Sequence, residues 1–106
     1  MIVRIWRGQA ESDAKAEAYH RHVTTTVFPE LKALHGHQGA WLLRRELGGK
    51  VEFLAVTFWD SIDSIRAFAG DNVTSAIVEP EARAVLSDFD DFARHYELAF
   101  KMDRPA

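Results

Sequence analysis

The side chains of this 106-residue sequence best suited to move a proton near neutral pH are its five histidines. They fall as His20 and His22, His35 and His37, and His95. The two His-x-His pairs first suggest a metal. Residues i and i+2 of a helix point about 200° apart, so His20 and His22 do not chelate one ion. His35 and His37 flank Gly36 with no carboxylate beside them, and they read as a solvated loop. No metal site is expected. His20 and His95 remain as candidate catalytic residues. His20 lies on an apolar helical seam, where an imidazole either serves as a base in a desolvated cleft or bonds a backbone carbonyl or Tyr19. His95 shares its strand face with Ala93, Glu97 and Ala99, small enough neighbours to leave space for a ligand. It can equally bond across the sheet or to a second subunit. Tyr19, Trp59, Phe68 and Tyr96 are candidate walls for a flat substrate or, in the plainer reading, core aromatics. The acidic run Asp88, Asp90 and Asp91 reads as a solvated connection.

These residues need elements to position them. Residues 2–7, rich in β-branched and aromatic side chains and closed by Gly8, predict a first strand. Ser12 or Asp13 caps a helix whose seam runs Ala16, His20, Val23, Val27, Leu31 and Leu34, with Pro29 kinking or restarting it. Strands follow at 40–46 and 51–59, joined by Gly48-Gly49, which supplies the positive φ angles of a tight hairpin. The near-continuous apolar run of 51–59 predicts burial on both faces. Asp60 or Ser61 caps a second helix ending at Gly70, Pro80 opens a short third one, and 92–100 reads as the last strand. The order β-α-β-β-α-β is the ferredoxin-like α+β plan, with helices on one face of an antiparallel sheet. Arg4 and Trp6 share one face of the first strand, Val3 and Ile5 the other. With apolar groups on both faces, a second copy of the chain is expected to cover the open one, giving a homodimer.

Length and composition narrow the function classes. A chain of this length predicts a single domain spanning 1–106. At 47% hydrophobic and 27% charged it should fold, and its 13 basic and 16 acidic residues leave a net −3 that gives nucleic acid no basic surface. No cysteine is present, which excludes a disulfide scaffold, a thiolate zinc site and a thiol nucleophile. Neither a signal peptide nor an apolar run of membrane-spanning length is apparent, so a cytoplasmic protein with no membrane partner is expected. Nucleotide-loop and serine-hydrolase motifs have no foothold.

Phe58-Trp59-Asp60-Ser61, then Ile65-Arg66-Ala67-Phe68-Ala69-Gly70-Asp71, Pro80-Glu81-Ala82 and His95-Tyr96-Glu97, together resemble the antibiotic biosynthesis monooxygenase family of the dimeric α+β barrel superfamily. The resemblance runs from the first strand to the last. It implies a homodimer of face-to-face sheets, and in each subunit a small cleft between sheet and helices for a hydrophobic or aromatic ligand. It further implies a cofactor-independent monooxygenase, in which an aromatic polyketide loses a proton and its carbanion reacts with O₂ without metal or flavin. The haem-degrading branch relies on an Asn in strand one, a Trp in the helix after strand three and a His in the last helical region. Strand one here has no Asn, residues 62–69 no Trp and residues 71–90 no His, so no haem is expected. The alternative is a non-catalytic barrel, a small-ligand-binding or stress-responsive protein, in which no titratable group points into the cleft.

Overall fold

The computed structural model of the chain describes residues 1–105. Strand β1 (Ile2–Ala10) is central, paired along its whole length with β3 (Lys50–Trp59), and β3 pairs in turn with β2 (His37–Leu47), all antiparallel. Gly48 (φ 57°) and Gly49 (φ 87°) make the two-residue turn between β2 and β3, as the sequence predicts. β3 buries side chains on both faces, Val51, Phe53 and Trp59 on one and Glu52 and Val56 on the other.

The last strand is not one piece. β4 (Asp88–Phe89) pairs with Gln9 and Gly8, and β5 (Arg94–Glu97) with Ile5 to Ile2, so two short strands share the free edge of β1. Between them residues 91–93 leave β1 to bond the 74–76 segment, with Ala76 N–H donating to Asp91 O (2.9 Å) and Ala93 N–H to Thr74 O (2.7 Å). The expected strand 92–100 shrinks accordingly. The acidic run expected to be a solvated connection does leave Asp88 and Asp91 exposed, and it also contributes Asp88 to the ladder and to an ion pair with Arg7 at 3.2 Å.

The helices lie on one face. α1 (Asp13–His22) is capped by Ser12, and its buried positions are Ala16 and Tyr19. It runs into a π-helical stretch, Val23–Val27, and then the short α2 (Phe28–Leu31), which carries Pro29 in its first turn. Two threonines loosen this region, Thr24 Oγ1 donating to His20 O (2.8 Å) and Thr25 Oγ1 to Arg21 O (2.6 Å), in competition with the helix ladder. His20 does not sit on the seam. Tyr19, one residue earlier, takes the inward position, and His20 is exposed. α3 (Ile62–Ala69) starts from a reciprocal Ser61–Ser64 cap and stops at Gly70, and α4 (Pro80–Val85) has Pro80 in its first turn.

Strand parity divides the sheet. Ile2, Arg4, Trp6 and Gly8 face the helices along with Phe53, Ala55, Thr57 and Trp59. The opposite face carries Trp41 (60% exposed), Leu43 (46%) and Tyr96 (51%), which nothing in the single chain covers. It also carries a charged cluster, where Glu52 accepts from Arg45 Nε at 2.8 Å and from Arg7 Nε at 2.9 Å.

Gly36 (φ 88°) opens the path into β2, and its carbonyl accepts from Asp60 N–H at 2.8 Å. A Cβ at this position would be driven into Ser64 of α3. Gly36→Ala should therefore cost more than the roughly 1–2 kcal/mol of a left-handed residue alone. Gly48→Ala, with open space around it, should cost no more than that. Urea denaturation of the two variants checks the difference, and equal losses would refute it.

Candidate functional site

A cleft with a cavity volume of about 70 Å³ lies between the sheet and the helices. Its floor is β1 and β3, through Arg4 and Trp6 on one strand and Ala55 and Thr57 on the other. Its roof is the end of α1 and the π-helical stretch, through Tyr19, His22, Val23 and Val27. Phe68 of α3 and Ile77 to Glu79 close the sides. Aromatic contacts hold the frame. The Trp6 ring lies 6.4 Å from Tyr19 and 6.1 Å from Phe89, and its Nε1–H donates to Asp90 O at 2.7 Å.

Polar groups are few and placed. Arg4 is 4% exposed, yet no carboxylate pairs with it among the described residues. Its Nη1 donates to Val73 O and to His95 Nε2 (2.9 Å), its Nη2 donates to Ser75 O (2.8 Å), and the guanidinium lies over the Phe68 ring at 5.6 Å. Burial lowers its pKa to about 10. Thr57 stands opposite Arg4 across the ladder; its Oγ1 accepts from Trp59 Nε1 at 2.9 Å, which leaves the hydroxyl proton free to donate. Burial raises the Tyr19 phenol well above its usual value, so it stays neutral. His22 is half-buried, and its Nε2 is fully buried without a hydrogen-bond partner. Glu79 and exposed Glu81 each bring an oxygen to within 4.8 Å of the His22 ring nitrogen, and this trio is the one group of metal-ligating side chains among the described residues.

The structure places the expected site residues unevenly. Tyr19 and Phe68 line the cleft. Trp59 does not; it is fully buried behind the wall, 6.2 Å from Phe68, and holds Thr57 through its indole N–H. His20 points to solvent because Tyr19 occupies the seam. His95 is half-buried but engaged, its Nε2 taken by Arg4, so it orients the guanidinium and the ring proton sits on Nδ1. Tyr96 faces the opposite side of the sheet. His37, expected in a solvated loop, is half-buried with its ring edge on Trp59 at 5.1 Å.

Arg4 and His22 were not singled out as site residues by sequence reasoning. For Arg4 the signal was present in strand parity, which aligns it with Trp6. For His22 it was a place three residues after Tyr19 on the same side of α1, although its neighbours Glu79 and Glu81 lie far along the chain.

Burial, and then the charge of Arg4, hold the His95 imidazole below its ordinary value of 6.5, and burial does the same to His37. Below that value the unfolded chain binds more protons than the folded one, so stability is complete above it and falls as pH drops through it. His95→Gln should flatten the fall of the urea midpoint between about pH 7 and pH 5. An unchanged slope would exclude His95 as a source.

No family model and no curated protein matches the sequence. Solved structures do match. A monooxygenase from Streptomyces coelicolor, in complex with the ligand nanaomycin D, aligns at a TM-score of 0.71 and 13% identity, over 98% of this chain and 92% of that one. A haem-degrader from Mycobacterium tuberculosis, with two haems bound in its active site, aligns at 0.66 and 16% identity over 97% and 100%. A protein from Bacillus cereus, named as a candidate antibiotic biosynthesis monooxygenase, aligns at 0.66 and 9% identity over 100% and 98%. The resemblance carried by the sequence motifs is matched in three dimensions: the chain has the ferredoxin-like α+β fold of the solved antibiotic biosynthesis monooxygenases.

Proposed function

We propose that the chain is a cofactor-independent monooxygenase acting on a small aromatic or polyketide-like substrate. The observation that carries this reading is the buried, unpartnered Nε2 of His22 in the roof of an aromatic-walled cleft. A base needs both an unengaged ring nitrogen and a site where water is limited, and His22 has the two together. Neither His20 nor His95 does. In this reading His22 takes a proton from an acidic C–H or O–H of a flat substrate held between Trp6, Tyr19 and Phe68. The carbanion then gives an electron to O₂, and recombination followed by loss of water leaves a carbonyl on the oxidised carbon. One methylene and one O₂ yield one carbonyl and one water. Exposed Glu81, beside the imidazole, offers the proton a route to solvent.

The open sheet face belongs to the same proposal. Trp41, Leu43 and Tyr96 form a surface that a second copy covers, making the working unit a homodimer. No helix is long and apolar enough to cross a membrane.

Oxygen uptake with a panel of hydroxylated anthrones and naphthols tests the chemistry. His22→Ala should lower turnover about 10²- to 10⁴-fold while leaving substrate binding nearly intact. Binding without oxygen uptake by any of the panel would replace this reading with that of a non-catalytic ligand-binding barrel. Light scattering tests the assembly. Twice the chain mass is expected, and Leu43→Glu should halve it without unfolding the protein; a wild-type monomer at low micromolar concentration would remove the dimer.

A further inference from the structure

Arg4 poses an energetic question that the proton-transfer reading leaves unanswered. A buried charge is costly unless it is paired, and the usual partner is a carboxylate. Here the guanidinium is almost fully buried and is held by two backbone carbonyls and a neutral imidazole, none of which cancels its charge. Those three bonds use three of its five N–H donors and leave two free. Nor can the group swing away to water. Residues Val73 and Ser75, the β5 residue His95 and the Phe68 ring fix it from separate elements. The result is an oriented positive charge with unused donors, lining an apolar cleft.

The other charges near the cleft sharpen the reading. Glu79 is the one acidic side chain that lines it, and it stands in the helix-side wall with His22, whereas Arg4 belongs to the sheet floor. Apart from Arg4, the floor offers one further donor, the hydroxyl of Thr57. An anionic group would thus be drawn to the floor and kept from the roof. Around it the surfaces are apolar, from Phe68, Val27 and Phe28 to Ala55.

We infer that the cleft selects monoanionic aromatic ligands, binding one oxyanion (a carboxylate, phenolate or enolate) at Arg4 and Thr57 on the floor with the ring toward the apolar mouth. This rests on the reading of the cleft as the substrate site, and it names the substrate class. A single uncompensated positive charge matches a single negative one. It fails a dianion, whose second charge would lie among apolar side chains, and a neutral ring, which would leave the guanidinium unpaired. The lowered pKa of Arg4 agrees with this, since an arriving anion would relieve the same burial cost that depresses it.

Isothermal titration with 1-naphthoate and its neutral isostere 1-naphthamide provides the test. Wild-type protein should bind the carboxylate roughly 10- to 100-fold more tightly than the amide, the worth of a charge-assisted hydrogen bond in a dry site. Arg4→Met should abolish that preference and leave amide affinity within about threefold. Thr57→Val should reduce the preference in part, and Thr57→Ser should restore it. The wild-type comparison decides the matter even if Arg4→Met fails to fold, and Arg4→Lys, which keeps the charge but loses the planar fork, then serves as the second variant with a reduced preference. Equal wild-type affinities for the two probes would overturn the inference while leaving the cleft as a binding site. Binding of neither would overturn the cleft reading itself.

Discussion

Burial of the Arg4 guanidinium without a carboxylate is the constraint around which the rest of the molecule is arranged. A charge in that position persists only where oxygens and nitrogens nearby are recruited to it. Its partners are drawn from the 73–75 segment and from β5, and the Phe68 ring covers it from α3. These are also the pieces that close one side of the cleft. The segment is further tied by Ser75 bridging to Phe92 and by the backbone bonds of Thr74 and Ala76. This pairing draws residues 91–93 off β1 and splits the edge strand. One electrostatic requirement thus explains a feature of topology and the placement of a wall.

The helical roof obeys a different constraint. Thr24 and Thr25 turn their hydroxyls back onto carbonyls four residues earlier, and Pro29 supplies no N–H to the ladder. The chain answers with a π-helical stretch, in which the spacing of inward side chains changes. Above the stretch Tyr19 faces the sheet; within it Val23 does, and Leu31 resumes beyond it. His22 precedes that stretch, three residues beyond Tyr19 in the regular α1, and so shares the inward side of the helix. Its imidazole is lodged beside Glu79 with its Nε2 out of water. π-helical segments often mark functional sites, and here the stretch supplies Val23 and Val27 to the roof.

These two constraints also set what was legible in the sequence. The strand order, the Gly48-Gly49 hairpin, the Ser61 cap and Pro80 in the first turn of α4 depend on local residue chemistry, and a linear reading finds them. Phe68 as a cleft wall follows from helical spacing, whereas Tyr19 was named beside His20 without a place on the seam. His20 was misplaced because a seam advancing by four and three accepts either Tyr19 or His20 over so short a helix, and only packing against Phe53 at 4.8 Å selects the tyrosine. Trp59 was read as a wall because strand parity shows which face it occupies but not how deeply it lies. For His95 the sequence left open whether it meets a ligand, the sheet or a second subunit, and its engagement by Arg4 is a contact across 91 positions of sequence. Arg4 itself was visible as an alternation partner of Trp6, a charged residue on the face the helices cover.

The two faces of the sheet handle charge in opposite ways. On the open face Glu52 is held by both Arg45 and Arg7, and these arginines keep its carboxyl below the ordinary carboxylate range. Asp88 adds a second acid to Arg7, so the cluster is internally paired and asks nothing of a partner. What that face leaves unsatisfied is apolar area at Trp41, Leu43 and Tyr96, which a protein surface satisfies better than a small molecule can. On the helix face the apolar groups are mutually buried, and what remains unsatisfied is charge, a lone guanidinium over which a cleft stays open. A monoanion with a flat apolar body answers that deficit. In the proposed dimeric, ligand-binding reading, the same sheet directs association to one side and small-molecule recognition to the other, because each face lacks a different kind of partner.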